Sequence, residues 1–349
     1  MRLRLITWLH CRHGIRTLTT CSRLHKQKPP FNILFFGTDD FALETLRALQ
    51  RNRQVTEAEG GLVNKLHVVS TSQTTSVAEF AQKENLELLG WPLDINTLDT
   101  YDMGVLVSFG RLVPKKVIRK FPHGILNVHP SLLPRWRGAS PIIHTVLSGD
   151  TETGVSVISI QPKQFDTGPI LKQISMPLME TLAECPGVLE KACSQTDQGV
   201  TYAHKVSASM SVVDWKQHTS DQVCRQYLAL SHMMPLRTEW NDQPVKLLNM
   251  VTDVKEGFEP SALRGISSGQ DGVAGMVVYD RRLQAICVKC RRGWACFQSI
   301  VLKKTMSAAD FHNGYLSKDK HKGVHFQSAH NGLFGPEYWD FVSRPKGKS

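Results

Sequence analysis

No uncharged apolar stretch in this 349-residue chain approaches the roughly 20 residues that a bilayer-crossing helix needs, which excludes a chain that spans a membrane on apolar helices. The eight cysteines, Cys11, Cys21, Cys185, Cys193, Cys224, Cys287, Cys290 and Cys296, show no even, regular spacing, so a disulfide scaffold is excluded and reduced thiols in an organelle interior are expected. Cys287 and Cys290 form a C-x-x-C without a following second ligand pair, in a segment that reads as a strand, where residues three apart face opposite ways; no zinc site is expected there. A dinucleotide fingerprint is missing too. Gly37 stands alone where G-x-G-x-x-G requires three glycines, which argues against NAD binding.

Acidic residues are absent from residues 1–30, which carry seven Lys or Arg, among them Arg2, Arg4, Arg12, Arg16 and Arg23 spaced between Leu, Ile and Trp. An Arg-rich, acid-free, amphipathic start without an apolar core is the pattern of a mitochondrial presequence. The formal charge of +11 is therefore uneven: residues 31–240 hold 19 basic against 21 acidic side chains, and 241–349 hold 16 against 10.

From Phe31 the chain reads FNILFFGTDDFALETLRALQ: an apolar run of strand length, a glycine turn, then Asp39 and Asp40 as candidate helix N-caps. Strands are expected at 65–70, 101–108 and 124–128, with a helix at 76–86, so the fold class is α/β with a Rossmann-like parallel sheet. A short helix from Pro141 to Gly149, a strand alternating with period two around Val155 to Ile160, and a hairpin return after Asp166-Thr167-Gly168 follow. The polar stretch 207–220 reads as a linker and 220–230 as a helix. Short segments at 244–250, 275–280, 284–289 and 295–302 then read as a small OB-like β-barrel. The expected domains are a presequence at 1–30, a catalytic domain at 31–206, a linker at 207–220, a barrel domain at 221–316 and a basic, poorly ordered tail at 317–349.

The densest chemistry lies in Asn127-Val128-His129-Pro130-Ser131-Leu132-Leu133-Pro134-Arg135-Trp136-Arg137-Gly138, which begins at the carboxyl end of a strand, where open α/β sheets hold ligands. Asn127 and His129, two apart in an extended segment, emerge on the same face and can address one reacting atom. Imidazole transfers protons near neutral pH, and an amide can stabilise a developing oxyanion by about 3 kcal/mol. Neither residue alone points to chemistry, since a His at a strand end commonly completes a structural hydrogen bond.

The run NVHPSLLPRWRGASPI, followed after a spacer by the Asp166-Thr-Gly turn, resembles the folate-dependent formyltransferases. Arg135-Trp136-Arg137-Gly138 and the opening FFGTDDFA are most similar to the members that act on methionyl-tRNA, and the likeness extends from about Phe31 to Tyr315. The resemblance implies formyl transfer from 10-formyltetrahydrofolate to the α-amino group of methionyl initiator tRNA, without a metal, by direct amine attack, in the mitochondrial matrix. It implies Asn127, His129 and Asp166 as the catalytic trio, although Asp166 by itself is only a plain Asp-Thr-Gly turn. It implies Ser131, Leu132, Leu133 and Pro134 as the folate-binding loop. Asp166 would relay the amine proton and favour the imidazolium form of His129.

The large anionic partner needs its own surface. Arg281, Arg282, Lys289, Arg291, Arg292, Lys303 and Lys304, seven basic residues without an acid across 281–304 and interleaved with Trp294 and Phe297, are the candidates; the competing reading is a solvated, charge-protected sheet edge. Arg135 and Arg137 either guide the acceptor end of the tRNA or anchor the folate loop. No membrane partner is expected, and the chain is read as a monomer.

Two departures from the family pattern stand out: the loop after the second strand is short, and 176–202 falls short of two full helices. A formyl handler acting on a small amine, or hydrolysing the donor, would share the trio without needing a basic barrel. A non-catalytic RNA-binding protein on the same fold is the third reading.

Overall fold

The computed structural model describes residues 28–162, 164–173, 192–255, 257–263, 272–317 and 325–328. The apolar run at the start is strand β1 (Phe31–Gly37), and it is uninterrupted because both of its faces are covered. Phe31, Ile33 and Phe35 enter one core cluster, Leu34 and Phe36 the other. Asp39 caps helix α1 (Asp40–Arg53), its carboxylate accepting the Ala42 N–H at 2.9 Å. Strand β2 (Val63–Ser70), helix α2 (Ser76–Lys83), β3 (Leu88–Gly90), β4 (Met103–Val107), helix α3 (Lys115–Ile118) and β5 (Ile125–His129) follow. Helix α2 stops before the expected residue 86 because Asn85 takes a left-handed φ of 53°.

A short strand β6 (Arg137–Gly138) and helix α4 (Pro141–Ser148) precede the hairpin of β7 (Ser156–Ser159) and β8 (Ile170–Gln173). The seven-stranded sheet has the order β3-β2-β1-β4-β5-β7-β8, parallel through β5 and antiparallel from β7 onward. β6 pairs with β9 (Tyr202–Ala203), and helix α5 (Ser220–Leu230) packs on α4 through Leu147, Ala229 and Leu230.

The second sheet comprises β10 (Leu236–Trp240), β11 (Gln243–Val251), β12 (Val277–Asp280), β13 (Ala285–Lys289), β14 (Trp294–Val301) and β15 (Thr305–Ser307), ordered β10-β11-β14-β13-β12 with β15 on β14. Helix α6 (Ala308–Phe311) plugs it with the buried Phe311.

Two boundaries differ from the sequence reading. The polar stretch 207–220 is no free linker: Met210 joins the α4–α5 contact, and Val213 and Trp215 are fully buried under the second sheet, the indole donating to Thr238 Oγ1 at 2.8 Å. Its polar composition hides a few apolar anchors. Residues 325–328, read as part of a loose tail, pack as a strap. Phe326 is buried, His325 bridges Met276 and Gln327 bridges Glu239, so the strap ties the β10 edge to the residue before β12. Unpaired edges need such covering.

Cys287 of the C-x-x-C lies within β13 and Cys290 directly after it. Cys287 lies directly across from Cys296 on the neighbouring strand, sulfur to sulfur 2.8 Å, and among the described residues no cluster of three or more His, Cys, Asp or Glu is arranged to hold a metal. Residues 1–27 and 174–191, on which most of the expected presequence and most of the segment read as shortened fall, lie outside the described residues.

Candidate active site

A cavity of about 340 Å³ opens at the carboxyl ends of β1, β4 and β5, where the strand order reverses. Its walls are apolar, formed by Leu106, Phe109, Leu112, Val113, Ile158, Ile160 and Phe165, and Asn127, His129 and Asp166 stand together on its polar side.

The geometry follows from two different carriers. Asn127 and His129 sit on β5 with their side chains on one face, buried to 8% and 4% exposure. Asp166 comes from the connection between β7 and β8 and is carried back over that face. The turn holds Asp166 at a φ of 56°, a left-handed conformation that Asp tolerates, and a Cβ on Gly168 would lie 1.8 Å from the Ser159 carbonyl oxygen, so only glycine fits there.

Asp166 Oδ1 accepts the Asn127 amide at 3.0 Å and lies 3.5 Å from His129 Nδ1, while Oδ2 accepts the Gly138 backbone N–H at 2.9 Å. His129 Nε2 is 2.8 Å from the Trp136 carbonyl oxygen. A carbonyl only accepts, so Nε2 carries the proton, and in the neutral ring the lone pair sits on Nδ1, facing Asp166. Backbone strain supports that carbonyl: Trp136 and Gly138 both take positive φ, 64° and 126°, and a Cβ on Gly138 would meet the Ala203 carbonyl oxygen at 2.5 Å.

The structure thus brings Asn127, His129 and Asp166 together. Ser131, Leu132, Leu133 and Pro134, expected to contact folate, are not among the described residues that line the cavity; of that stretch only Pro130 reaches it. Ser131 is fully buried and donates to the Arg135 carbonyl at 2.6 Å, Ser156 Oγ accepts the Leu133 N–H at 3.0 Å, and Gln173 donates to the Leu133 carbonyl at 2.9 Å. These contacts brace the loop beneath Trp136. The cavity wall comes from 106–113, 158–161 and 164–166, whose only sequence signal was apolar residues just beyond strand ends.

Arg135 and Arg137 are also committed within the chain. Arg135 grips Asp150 with two nitrogens at 2.7 and 2.6 Å and lies 4.3 Å over the Trp136 ring, and the Trp136 indole donates to the same carboxylate at 2.7 Å. Burial would raise the Asp150 carboxyl, but the bonds from Arg135, Trp136 and Ser148 outweigh it and hold the group below the usual carboxylate range. Arg137 is 8% exposed and donates to Gln195. Both guanidiniums thus tie the loop to other parts of the chain. Gln195 and Asp150 had no signal in the sequence, being isolated polar residues outside any motif.

The basic residues of 281–304, contiguous in sequence, divide in space. Arg281, Arg282, Lys303 and Lys304 occupy the turns at one end of the β13–β14 ladder, and Arg291 and Arg292 the turn at the other, separated by the five residues of β13, roughly 16 Å. All six are exposed, whereas Lys289 is half-buried with its ammonium 5.2 Å over the Trp294 ring.

Residues 94–202 match the formyl transferase family and residues 205–316 the formyl transferase C-terminal domain family. The chain is 43% identical over 325 residues to mitochondrial methionyl-tRNA formyltransferase of Mus musculus, covering 86% of this chain and 82% of that protein. It is 42% identical over 316 residues to the mitochondrial methionyl-tRNA formyltransferase of Homo sapiens, covering 83% and 79%. Among solved structures, the N-formyltransferase of Helicobacter canadensis in complex with folinic acid and dTDP-3-aminofucose superposes with a TM-score of 0.50 at 14% identity, over 79% of this chain and 99% of that one, a likeness of fold. The chain belongs to the methionyl-tRNA formyltransferase family.

Proposed function

We propose that the chain transfers the formyl group of 10-formyltetrahydrofolate to the α-amino group of methionyl initiator tRNA in the mitochondrial matrix. The observation that carries this reading is the convergence of Asn127, His129 and Asp166 on one side of an apolar cavity whose volume, about 340 Å³, suits the flat ring system of a folate. When bound there, the donor supplies an activated formyl group.

The chain's own residues do the rest. The second Asn127 amide proton is a donor for the formyl oxygen as it gains charge, and a preorganised donor of this kind contributes about 3 kcal/mol. His129 Nδ1 takes up the proton the attacking amine must lose and passes it to the donor's leaving nitrogen as the old formyl carbon–nitrogen bond breaks, and Asp166, 3.5 Å away, stabilises the intervening imidazolium. Trp136, by accepting from Nε2, keeps the ring in the tautomer that leaves Nδ1 ready. The apolar side chains of Phe109, Leu112, Val113 and Phe165 limit the access of water to the reacting carbon.

The tRNA body meets the barrel at one or both basic ends, where exposed Arg and Lys attract phosphates and aromatics interleave. The test is transfer of labelled formyl to charged initiator tRNA by the full chain. Reversing Arg281, Arg282, Lys303 and Lys304 in one variant, and Arg291 and Arg292 in another, identifies the end in use: KM for tRNA rises several-fold and loses salt dependence while KM for folate holds. Formylation of a small amine alone, with no turnover on tRNA, would refute the reading.

A further inference from the structure

Asp166 stands on a loop, yet its task demands the precision of a strand. Its carboxylate bonds to Asn127 and Gly138 cannot supply that precision alone, because those bonds are perturbed whenever charge moves through the site. A second hold acts on the backbone instead. Gln195 Nε2 donates to the carbonyl oxygens of Asp166 at 2.8 Å and of Gly168 at 2.9 Å, one from each side of the turn. Gln195 Oε1 accepts from Arg137 Nε at 2.9 Å and Nη2 at 2.6 Å. The amide orientation is fixed by chemistry, since a guanidinium only donates and a carbonyl only accepts.

The connections close a ring. Arg137 precedes Gly138, whose N–H holds the Asp166 carboxylate, so the same short strand grips the residue by its side chain directly and by its backbone through Gln195. Gln195 is itself anchored, because Cys193 and Ile170 exchange both backbone hydrogen bonds, at 2.7 and 2.9 Å, clipping this segment to β8. Gln195 does not line the cavity. We infer that Gln195, oriented by Arg137, is a positioning residue that sets the Asp166 carboxylate against His129, an inference that rests on the formyl-transfer reading above.

The test compares Gln195→Ala, Gln195→Glu and Arg137→Leu with the wild-type chain, with Leu147→Ala in the α4–α5 contact as a control of comparable or greater thermal destabilisation. Gln195→Glu is isosteric and keeps an acceptor for Arg137 but turns an oxygen toward two carbonyl oxygens, so it carries the test even where Gln195→Ala folds poorly. Misplacing a reacting group by about 1 Å costs up to about 100-fold. Both Gln195 variants are expected to lower kcat about 10- to 100-fold with KM for folate and tRNA within about twofold, and to shift the pH dependence of kcat, whereas Leu147→Ala leaves kcat and its pH profile in place. Arg137→Leu is expected to lower kcat as well. A rise in KM for tRNA with unchanged kcat in Arg137→Leu would make it a tRNA contact and overturn the inference, as would a Gln195→Glu chain of wild-type kcat. A wild-type chain without turnover on tRNA removes the formyl-transfer reading and this inference together; an active wild type with an undiminished Gln195 variant removes the inference alone.

Discussion

Replacing Asp166 by Asn separates the chemistry of the site from its architecture. Asn matches Asp in size and accepts the left-handed φ of 56°, so the turn persists. The Gly138 N–H, fixed in the backbone, claims the single remaining oxygen at the 2.9 Å position, and the new NH2 then faces Asn127 and His129. Asn127 answers by turning its own oxygen toward the intruder, which takes its amide donor away from the reacting carbonyl. Two charge-assisted bonds become neutral ones, a loss of about 1 kcal/mol each, and the cheaper burial of an uncharged amide at a side chain 9% exposed offsets much of it. Net stability is thus expected to move by no more than about 1 kcal/mol, or a few degrees in Tm. Turnover loses both the stabilised imidazolium and a properly aimed donor, so kcat is expected to fall about 100- to 10,000-fold, equivalent to roughly 3 to 5 kcal/mol of barrier. The assay is the initial rate of formyl transfer at saturating substrates, paired with thermal unfolding. An Asp166→Asn chain within tenfold of the wild-type rate at unchanged Tm would refute this account of the trio.

Acidification should weaken the fold through His218. Burial, opposed by Asp214 and reinforced by Arg291, pushes this imidazole from 6.5 down to about 4, and its Nδ1 accepts the Asp214 N–H at 3.3 Å, which requires the neutral ring. The unfolded chain binds the proton first, so stability is intact above pH 6.5 and falls by about 3 kcal/mol as pH drops to 4; urea midpoints across that window should show the slope, and His218→Gln, which keeps an acceptor without titrating, should flatten it. Phe326→Ala, which empties the buried contact of the 325–328 strap, should cost about 3 to 5 kcal/mol by the same measurement, and an unchanged midpoint would show that the strap does not hold the sheet.

Regular periodicity was the part of this structure that could be read without coordinates. The run 31–37, the cap at Asp39, the period-two alternation before β7 and helix 220–230 all have a local physical cause, and each element appears within a residue or two of where that cause puts it. The pairing of Asn127 with His129 was legible for the same reason, since two residues apart on a strand fixes the shared face. Asp166 was not, because nothing local brings a loop residue 39 positions away back over β5. The cavity wall at Phe109, Leu112 and Phe165 was hidden in ordinary apolar residues, while Ser131 to Pro134, implied as a folate loop by the family resemblance, are tied down by hydrogen bonds to Arg135 and Ser156. Seven charges close in sequence suggested one surface, but successive hairpin turns alternate between the ends of a sheet and so divide them.

The reversal of strand direction after β5 explains why this α/β sheet can build a trio at all. In a purely parallel sheet every return to the site passes through a crossover of a dozen or more residues, and each strand contributes its residues only at its own carboxyl end. Here β7 runs back beside β5, pairing Ser156 with His129 and Asn127 with Ile158, so β5 gains a neighbour joined to it within the same layer. The connection that follows lies across the face of β5 that carries Asn127 and His129, and its carboxylate reaches the middle of the strand, where Asn127 sits, as well as the end, where His129 sits. An amide, an imidazole and a carboxylate thereby meet on a rigid strand pair, with the one loop-borne partner held from two sides by β6 and Gln195.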